Sequence, residues 1–326
     1  MKRSIYILLL IIIAVLAALL LLRGPVEEEA QLPADPRQPA LAPAERTLAT
    51  VWYLTEEGGL LLPLQMRIHA TDEVAQVALE QLLAGPATAG LQPSIPPGVR
   101  LNGIYKIYQT VYVDLTGEFL AVEPEHTQQA LDAITATVLP LVSECRNLQL
   151  LIDGDGCDEI NGVPTGEPLT MPLINLEQDD LPQDDLPQDI TAADCRAVLY
   201  YLPDESLQYL VPHTMLCPPE DGALPGDAAV LRQAAGRILP ECLSVAALSV
   251  EGGLAHLDLA YDQTVAYRSG AASEQAWLDA LVATACQLEQ IDALQITLDG
   301  AAAATLPKGT PISGQLQPPE TINYLP

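Results

Sequence analysis

"VYVDLTGEF" (Val111–Phe119) and "AHLDLAYDQ" (Ala255–Gln263) decide how this chain is read. Each is an alternating apolar run with one aspartate, Asp114 or Asp258, set between aliphatic residues. A period of two marks a half-buried strand, with Val111, Val113 and Leu115 on one face and Tyr112 and Asp114 on the other. The recurrence poses a choice between a catalytic carboxylate used twice and a structural device copied with a domain.

The surroundings of the two strands repeat as well. Tyr53 and Leu54 in "VWYLTEEGGLLLPLQMRI" correspond to Tyr201 and Leu202 in "VLYYLPDESLQYLVPHTML". "LQLLIDGDG" from Leu148 corresponds to "LQITLDGAA" from Leu294, which aligns Asp153 and Gly154 with Asp299 and Gly300. The landmarks keep their order at offsets of 148, 144 and 146 residues, the mark of a duplicated unit. Within each copy the patterns read as an opening hairpin, a helix, two strands, a second helix and a closing strand. In the first copy Thr71 is placed to cap the first helix, Ala75, Ala78, Leu79, Leu82 and Leu83 make its stripe, and "GPATAG" stops it. Leu131, Ile134 and Val138 mark the second helix, matched by Trp277, Leu278, Leu281, Val282 and Ala285. The order ββαββαβ predicts an α+β sandwich of two helices against one sheet.

The flanking segments divide the 326 residues. Ser4–Leu22 is a run of 19 uncharged residues between Lys2-Arg3 and Arg23. At about 1.5 Å per residue such a helix crosses a hydrocarbon core of roughly 30 Å. Basic residues before it and Glu27–Glu29 after it predict a cytoplasmic N-terminus and an exported remainder. A cleavable signal peptide is the rival, disfavoured by the length of the run and the lack of an A-x-A site. Residues 24–45 read as a Pro/Ala/Glu-rich tether, and the QDDLP repeats of 176–192 as an extended acidic linker. The two repeat domains then occupy 46–175 and 193–326.

Nearly half the residues are apolar, so a core can be built, but with one Phe and two Trp it must be largely aliphatic. A net charge of −29 with no basic patch beyond Arg23 excludes nucleic acid as a natural partner.

At this point the residues resemble the GerMN-domain family of sporulation and spore-germination proteins of the GerM type. The likeness rests on the "YLT" hairpin, "ALEQLLAGP", "PPGVRLNGIYKIYQTVYVDLTGEF" and "LQLLIDGDG". It is fainter in the second copy, which keeps "LDL" and "LDG" but has lost "AGP" and "PPG". The resemblance implies two tandem domains similar to ring-building motifs, on the outer face of a membrane. It also implies protein partners in an apparatus linking mother cell and forespore, homo-oligomers among them, and no enzymatic activity or cofactor. Family members are often lipoproteins, whereas this chain has no cysteine to lipidate near its start, so Ser4–Leu22 would be the anchor.

Candidate chemistry is sparse. Asp114, Asp258, Asp153 and Asp299 are expected to be structural, since an isolated carboxylate lacks the second acid, metal or nucleophile that catalysis needs. Asp114 stands near a strand end, where the following "TGE" turn offers N–H donors. His256 and Asp258 make a His-x-Asp pair, but two ligands are too few for a metal and Tyr112 replaces the histidine in the first copy. "DGDGCDEING" (Asp153–Gly162) offers Asp153, Asp155, Asp158 and Glu159 as cation ligands, yet departs from the EF-hand pattern at Cys157, Asp158 and Pro164. The expectation is a solvated acidic turn. The six cysteines contain no C-x-x-C. Cys195 and Cys217 lie equally far from the turn at Ser206 and are the first candidate disulfide; Cys145 with Cys157 and Cys242 with Cys286 are further possibilities. No G-x-S-x-G, H-E-x-x-H or phosphate loop occurs. The expected role is a non-enzymatic exported scaffold. An exported module binding cell wall or a small molecule, and a wall hydrolase, are the alternatives.

Overall fold

The structure is a computed structural model that describes residues 46–57, 59–69, 73–176, 192–219, 221–267, 270–319 and 321–325. The Ser4–Leu22 anchor, the tether, the Thr71 cap and most of the acidic linker lie outside those residues. No helix among the described residues is long and apolar enough to cross a membrane.

The first repeat runs β1 (Arg46–Thr55), β2 (Leu61–His69), α1 (Val74–Ala84), β3 (Leu101–Ile107), β4 (Thr110–Leu115), α2 (Thr127–Val138) and β5 (Asn147–Ile152). The second repeats that order in β6 (Arg196–Pro203), β7 (Leu210–Cys217), α3 (Asp227–Ile238), β8 (Leu243–Glu251), β9 (Gly253–Tyr261), α4 (Ala271–Cys286) and β10 (Ile291–Leu298). A final two-residue strand, β11 (Tyr324–Leu325), follows. The helix α3 carries a weak signal in sequence because Ala234 and Ala235 are two of the five apolar residues in its buried stripe, with Val230, Leu231 and Ile238.

In each repeat the quoted strand has a strand on either side. β4 pairs antiparallel with β3 and parallel with β5, and β9 does the same with β8 and β10. The parallel pairing is possible because α2 or α4 makes the crossover. The alternation works as its pattern implies: Val111, Val113 and Leu115 are fully buried, as are Ala255, Leu257 and Leu259.

The expected single sheet per repeat is instead two. β1–β2 and β6–β7 are hairpins that share no ladder with the sheets holding β4 and β9. A helix hydroxyl explains this. The Trp52 N–H donates to Thr137 Oγ1 on α2 at 3.2 Å, and the Tyr201 N–H donates to Thr284 Oγ1 on α4 at 3.0 Å. At these positions each hairpin meets a helix rather than a strand, although Leu54 and Thr55 of β1 also pair with Leu91 and Gln92. The helices in turn join the layers, α4 packing on both β6 and β10 and α1 on both β1 and β3.

Two cores result, one per repeat, and they touch. Val211 of β7 is buried within the first core, with Leu199 and Tyr209 packed against it. Glu45–Pro326 is accordingly one compact unit.

Candidate functional site

The duplicated aspartates are latches. Asp114 Oδ1 accepts the Gly154 N–H at 3.0 Å and the Asn102 amide at 3.3 Å. Asp258 Oδ1 accepts the Gly300 N–H at 2.9 Å and the Thr297 hydroxyl at 2.6 Å. A second carboxylate answers each from the neighbouring strand: Asp153 Oδ2 accepts the Gly117 N–H at 3.1 Å, and Asp299 Oδ1 the Tyr261 N–H at 3.0 Å. The C-terminal ends of each parallel pair are therefore clamped from both sides, and the acceptor atoms face main-chain donors rather than a cleft. His256 is exposed beside Asp258, whose Oδ1 is already engaged.

Local chemistry explains why the acidic stretch folds as it does. Asp153 and Gly154 both have positive φ (51° and 87°), as the tight Asp-Gly hairpin turn requires. Asp155–Gly156 then runs back along Leu151–Ile152. Asn161 and Gly162 repeat the device (φ 50° and 83°) between two-residue strands Glu159–Ile160 and Val163–Pro164. "DGDGCDEING" is thus two successive hairpins. Among the described residues, its Asp153, Asp155, Asp158 and Glu159 do not converge to ligating distance; the one group of three that does is Glu123, Glu125 and His126.

The β6–β7 register bears on the candidate Cys195–Cys217 disulfide. Cys217 stands opposite Arg196, not Cys195, and the two cysteines are not disulfide-bonded. The turn is asymmetric about Ser206, since Asp204 collects the N–H groups of Ser206, Gln208 and Tyr209 and shifts the pairing by one residue. Cys145 with Cys157 and Cys242 with Cys286 are not bonded either.

Sequence reading missed the seam between the repeats. Asn175 pairs through its side chain with both main-chain groups of Leu61, and its Nδ2 also donates to the Pro212 carbonyl of β7 at 2.7 Å. Just before it, the Ile174 carbonyl accepts the Thr214 N–H at 2.8 Å. In the second repeat Asn323 pairs in the same way with Leu210, while its carbonyl accepts the Gln65 N–H of β2 at 3.0 Å. β11 then lies parallel to β2, with Tyr324 opposite Gln65. The tail of each repeat therefore locks to its own hairpin by a side chain and to the other repeat's hairpin by its backbone. A signal was present: "IN" recurs at Ile174-Asn175 and Ile322-Asn323, at the offset of 148 shared by the first landmark.

Beside this seam the two hairpin turns face one another across a cleft of about 360 Å³. Glu56 and Glu57 from one side and Asp204 and Glu205 from the other line it, above Leu60, Leu202 and Val211. A hydrogen bond to Glu205, reinforced by the like charge of that residue, holds the Glu57 carboxyl above its usual range. A buried carboxylate elsewhere has another use. Glu274 at the start of α4 accepts the Lys308 and Thr310 N–H groups at 2.9 and 3.0 Å and the Tyr267 hydroxyl at 2.8 Å, pinning the 305–312 loop.

The comparisons agree with this architecture. The family model described as "Germane: Sporulation and spore germination" matches residues 50–156 and 198–304. The solved tandem GerMN domains of the sporulation protein GerM from Bacillus subtilis align over 86% of this chain and 99% of that one, at 18% identity and a TM-score of 0.59. That likeness is one of fold. The first GerMN domain of the same protein, solved alone, aligns over 39% of this chain and 97% of that one, at 21% identity and a TM-score of 0.34. No curated protein matches the chain. Both repeats carry the Germane pattern over most of their length, so the chain belongs to the Germane (GerMN) family of sporulation and spore germination.

Proposed function

We propose that this protein is a membrane-anchored, extracytoplasmic scaffold of sporulation or spore germination that works by protein–protein contact and not by catalysis. One observation carries the reading: the carboxylates repeated along the chain, Asp114, Asp258, Asp153 and Asp299, all accept main-chain hydrogen bonds. Family membership supports the sporulation setting, and the apolar Ser4–Leu22 run with its charge asymmetry supports the anchor. The contact surface we favour is the β3–β4 hairpin tip, where Tyr105 and Ile107 are half exposed and Tyr108 almost wholly so. Large exposed aromatics grouped at one tip mark interaction sites.

Light scattering on the Glu45–Pro326 unit over a range of concentration and salt tests the reading. Self-association that strengthens as salt screens the −29 charge supports it. If the unit is monomeric throughout and captures no partner when crosslinked in sporulating cells, the scaffold reading fails.

A further inference from the structure

A sheet edge presents a row of unpaired main-chain donors and acceptors, and folded proteins cover or charge such edges. This chain covers most of its own. β11 lies along β2, Leu169 and Leu316 bridge to Leu148 of β5 and Leu294 of β10, and the Ile174 carbonyl meets Thr214 of β7. Thr137 and Thr284 close on β1 and β6. Among the described residues, β3 and β8 are left with an open side. β3 is blunted by charge, since it carries Lys106, paired with Glu144 at 3.1 Å. β8 is not: "LSVAALSV" (Leu243–Val250) holds neither a charge nor a proline, in a chain of net charge −29.

The hairpin fixes which groups of β8 face outward. Gly252 and Gly253, both at positive φ (58° and 84°), form the two-residue loop between Glu251 and Leu254. Such a loop closes on a hydrogen-bonded pair, and bonded and non-bonded pairs then alternate along the ladder. Glu251, Ser249 and Ala247 therefore bond to β9, whereas the main-chain groups of Leu248 and Val250 point to the open side. A register shift between Val245 and Ala247 ends this regular stretch. The side chains of Leu248 and Val250 share the face of the buried Leu257 and Ala255, while Ala247, Ser249 and Glu251 are exposed on the other. Beside Leu248 and bounded by α3 is a cleft of about 620 Å³, lined by Pro218, Pro225, Ala228, Ala229 and Arg232.

We propose that β8 pairs antiparallel with β8 of a second copy, centred on Ser249, and closes a two-fold dimer. That register sets the outward groups of Leu248 against those of Val250 in the other copy, in both directions, and brings the Ser249 hydroxyls together. Charge favours the same occupant. Arg232, exposed on α3, donates to the Val245 carbonyl at 3.3 Å and makes that end of the edge positive, while Glu251 makes the other end negative. Two-fold pairing lays each positive end against a negative one and puts Glu251 opposite Ala247 rather than a second carboxylate. The added strand also continues the core face, so Val250 of the second copy enters the cleft beside Leu248. An isologous contact of this kind stops at two copies. The edge is distinct from the β3–β4 tip, and the proposal rests on the reading that this chain works by protein contact.

Sedimentation velocity of the Glu45–Pro326 unit over a range of concentration and salt tests this. A monomer–dimer equilibrium is expected. Ser249→Lys should weaken it at least about 10-fold, because like charges then meet at the two-fold axis. Ser249 is exposed, so the thermal midpoint of the variant should stay at the parent value. Arg232→Glu and Glu251→Arg should each weaken the dimer about 2–5-fold, and the double variant Arg232→Glu/Glu251→Arg should recover it. A dimer that Ser249→Lys leaves intact would overturn the proposal; if Tyr108→Gly disperses that dimer, the contact reading stands and the tip carries it. A monomer at every concentration would overturn it too. If Ser249→Lys then loses a partner crosslinked in cells, the edge takes a strand of another protein; if no partner is captured at all, the scaffold reading falls with it.

Discussion

Asn175 forms a two-way amide pair with the main chain of Leu61: its Nδ2 donates to the Leu61 carbonyl at 2.7 Å and its Oδ1 accepts the Leu61 N–H at 2.8 Å. Asn323 and Leu210 form the second such pair, at 2.8 Å in both directions. Both asparagines sit at positive φ, 48° and 53°, where asparagine is among the few tolerated side chains. Such a latch needs an acceptor and a donor on one short side chain at a left-handed position. Asparagine supplies all of these.

Asn175→Gly keeps the backbone relaxed and removes only the side chain, leaving groups of Leu61 and Pro212 without their partner. The expected cost is about 1–3 kcal/mol in urea unfolding. The double variant Asn175→Gly/Asn323→Gly should uncouple the repeats, turning one transition into two. Each repeat reports on itself, since Trp52 lies in the first core and Trp277 in the second. A single transition for the double variant would mean that apolar packing around Val211, not the latches, holds the seam.

The aspartate latches make a separate prediction. Asp114→Ala removes the acceptor for the Gly154 N–H and Asp258→Ala that for the Gly300 N–H. Each should cost about 1–3 kcal/mol, and the asparagine variants should recover part of it because an amide oxygen still accepts. Chemical denaturation measures both. A neutral outcome in one repeat only would show that the copies have diverged in how they hold their parallel strands.

Much of this was legible in the residues, for stated reasons. Alternation in "VYVDL" and "AHLDL" reports which face is buried, and Asp-Gly reports a turn, so strands and repeat were both readable. The number of sheets was not. It depends on Thr137 and Thr284 meeting the hairpin N–H groups of Trp52 and Tyr201, a long-range contact with no local pattern. Counting from Ser206 assumes a symmetric turn, whereas Asp204 draws the loop to one side, so the β6–β7 register runs one residue off a Cys195–Cys217 pairing.

Two carboxyls, the half-buried Asp132 and the buried Glu274, should pull stability in opposite directions with pH. Burial pushes Asp132 from 3.8 to about 6, against the opposing hydrogen bond from Gln128. Between those values the native state holds a proton that the unfolded chain releases. This contribution is therefore full below the unfolded value and is lost as pH rises through about 6. Asp132→Asn should flatten that slope and raise stability at pH 7 by about 1–3 kcal/mol. For Glu274, burial works to raise the carboxyl, but the Thr310, Lys308 and Tyr267 donors outweigh it and leave it below its usual value of 4.5. Its contribution is present above that value and disappears as pH falls through the lowered one. Glu274→Gln should lose stability at pH 7 and show a smaller loss in acid. Urea midpoints from pH 3 to 8 check both.

Tyr108 offers the last test, because its stability and its proposed use conflict. It has φ 55° at the first position of the two-residue loop joining Ile107 to Thr110, and its side chain is 92% exposed. Tight hairpins favour glycine at left-handed loop positions, and a tyrosine there is strained. Tyr108→Gly should therefore stabilise the unit by about 0.5–1 kcal/mol, read as a higher thermal midpoint. If the tip is the contact surface, the same substitution should weaken self-association in light scattering, since it removes the most exposed ring of the Tyr105, Ile107 and Tyr108 group. Stabilisation with association unchanged would keep the strain argument and move the contact surface elsewhere on the molecule.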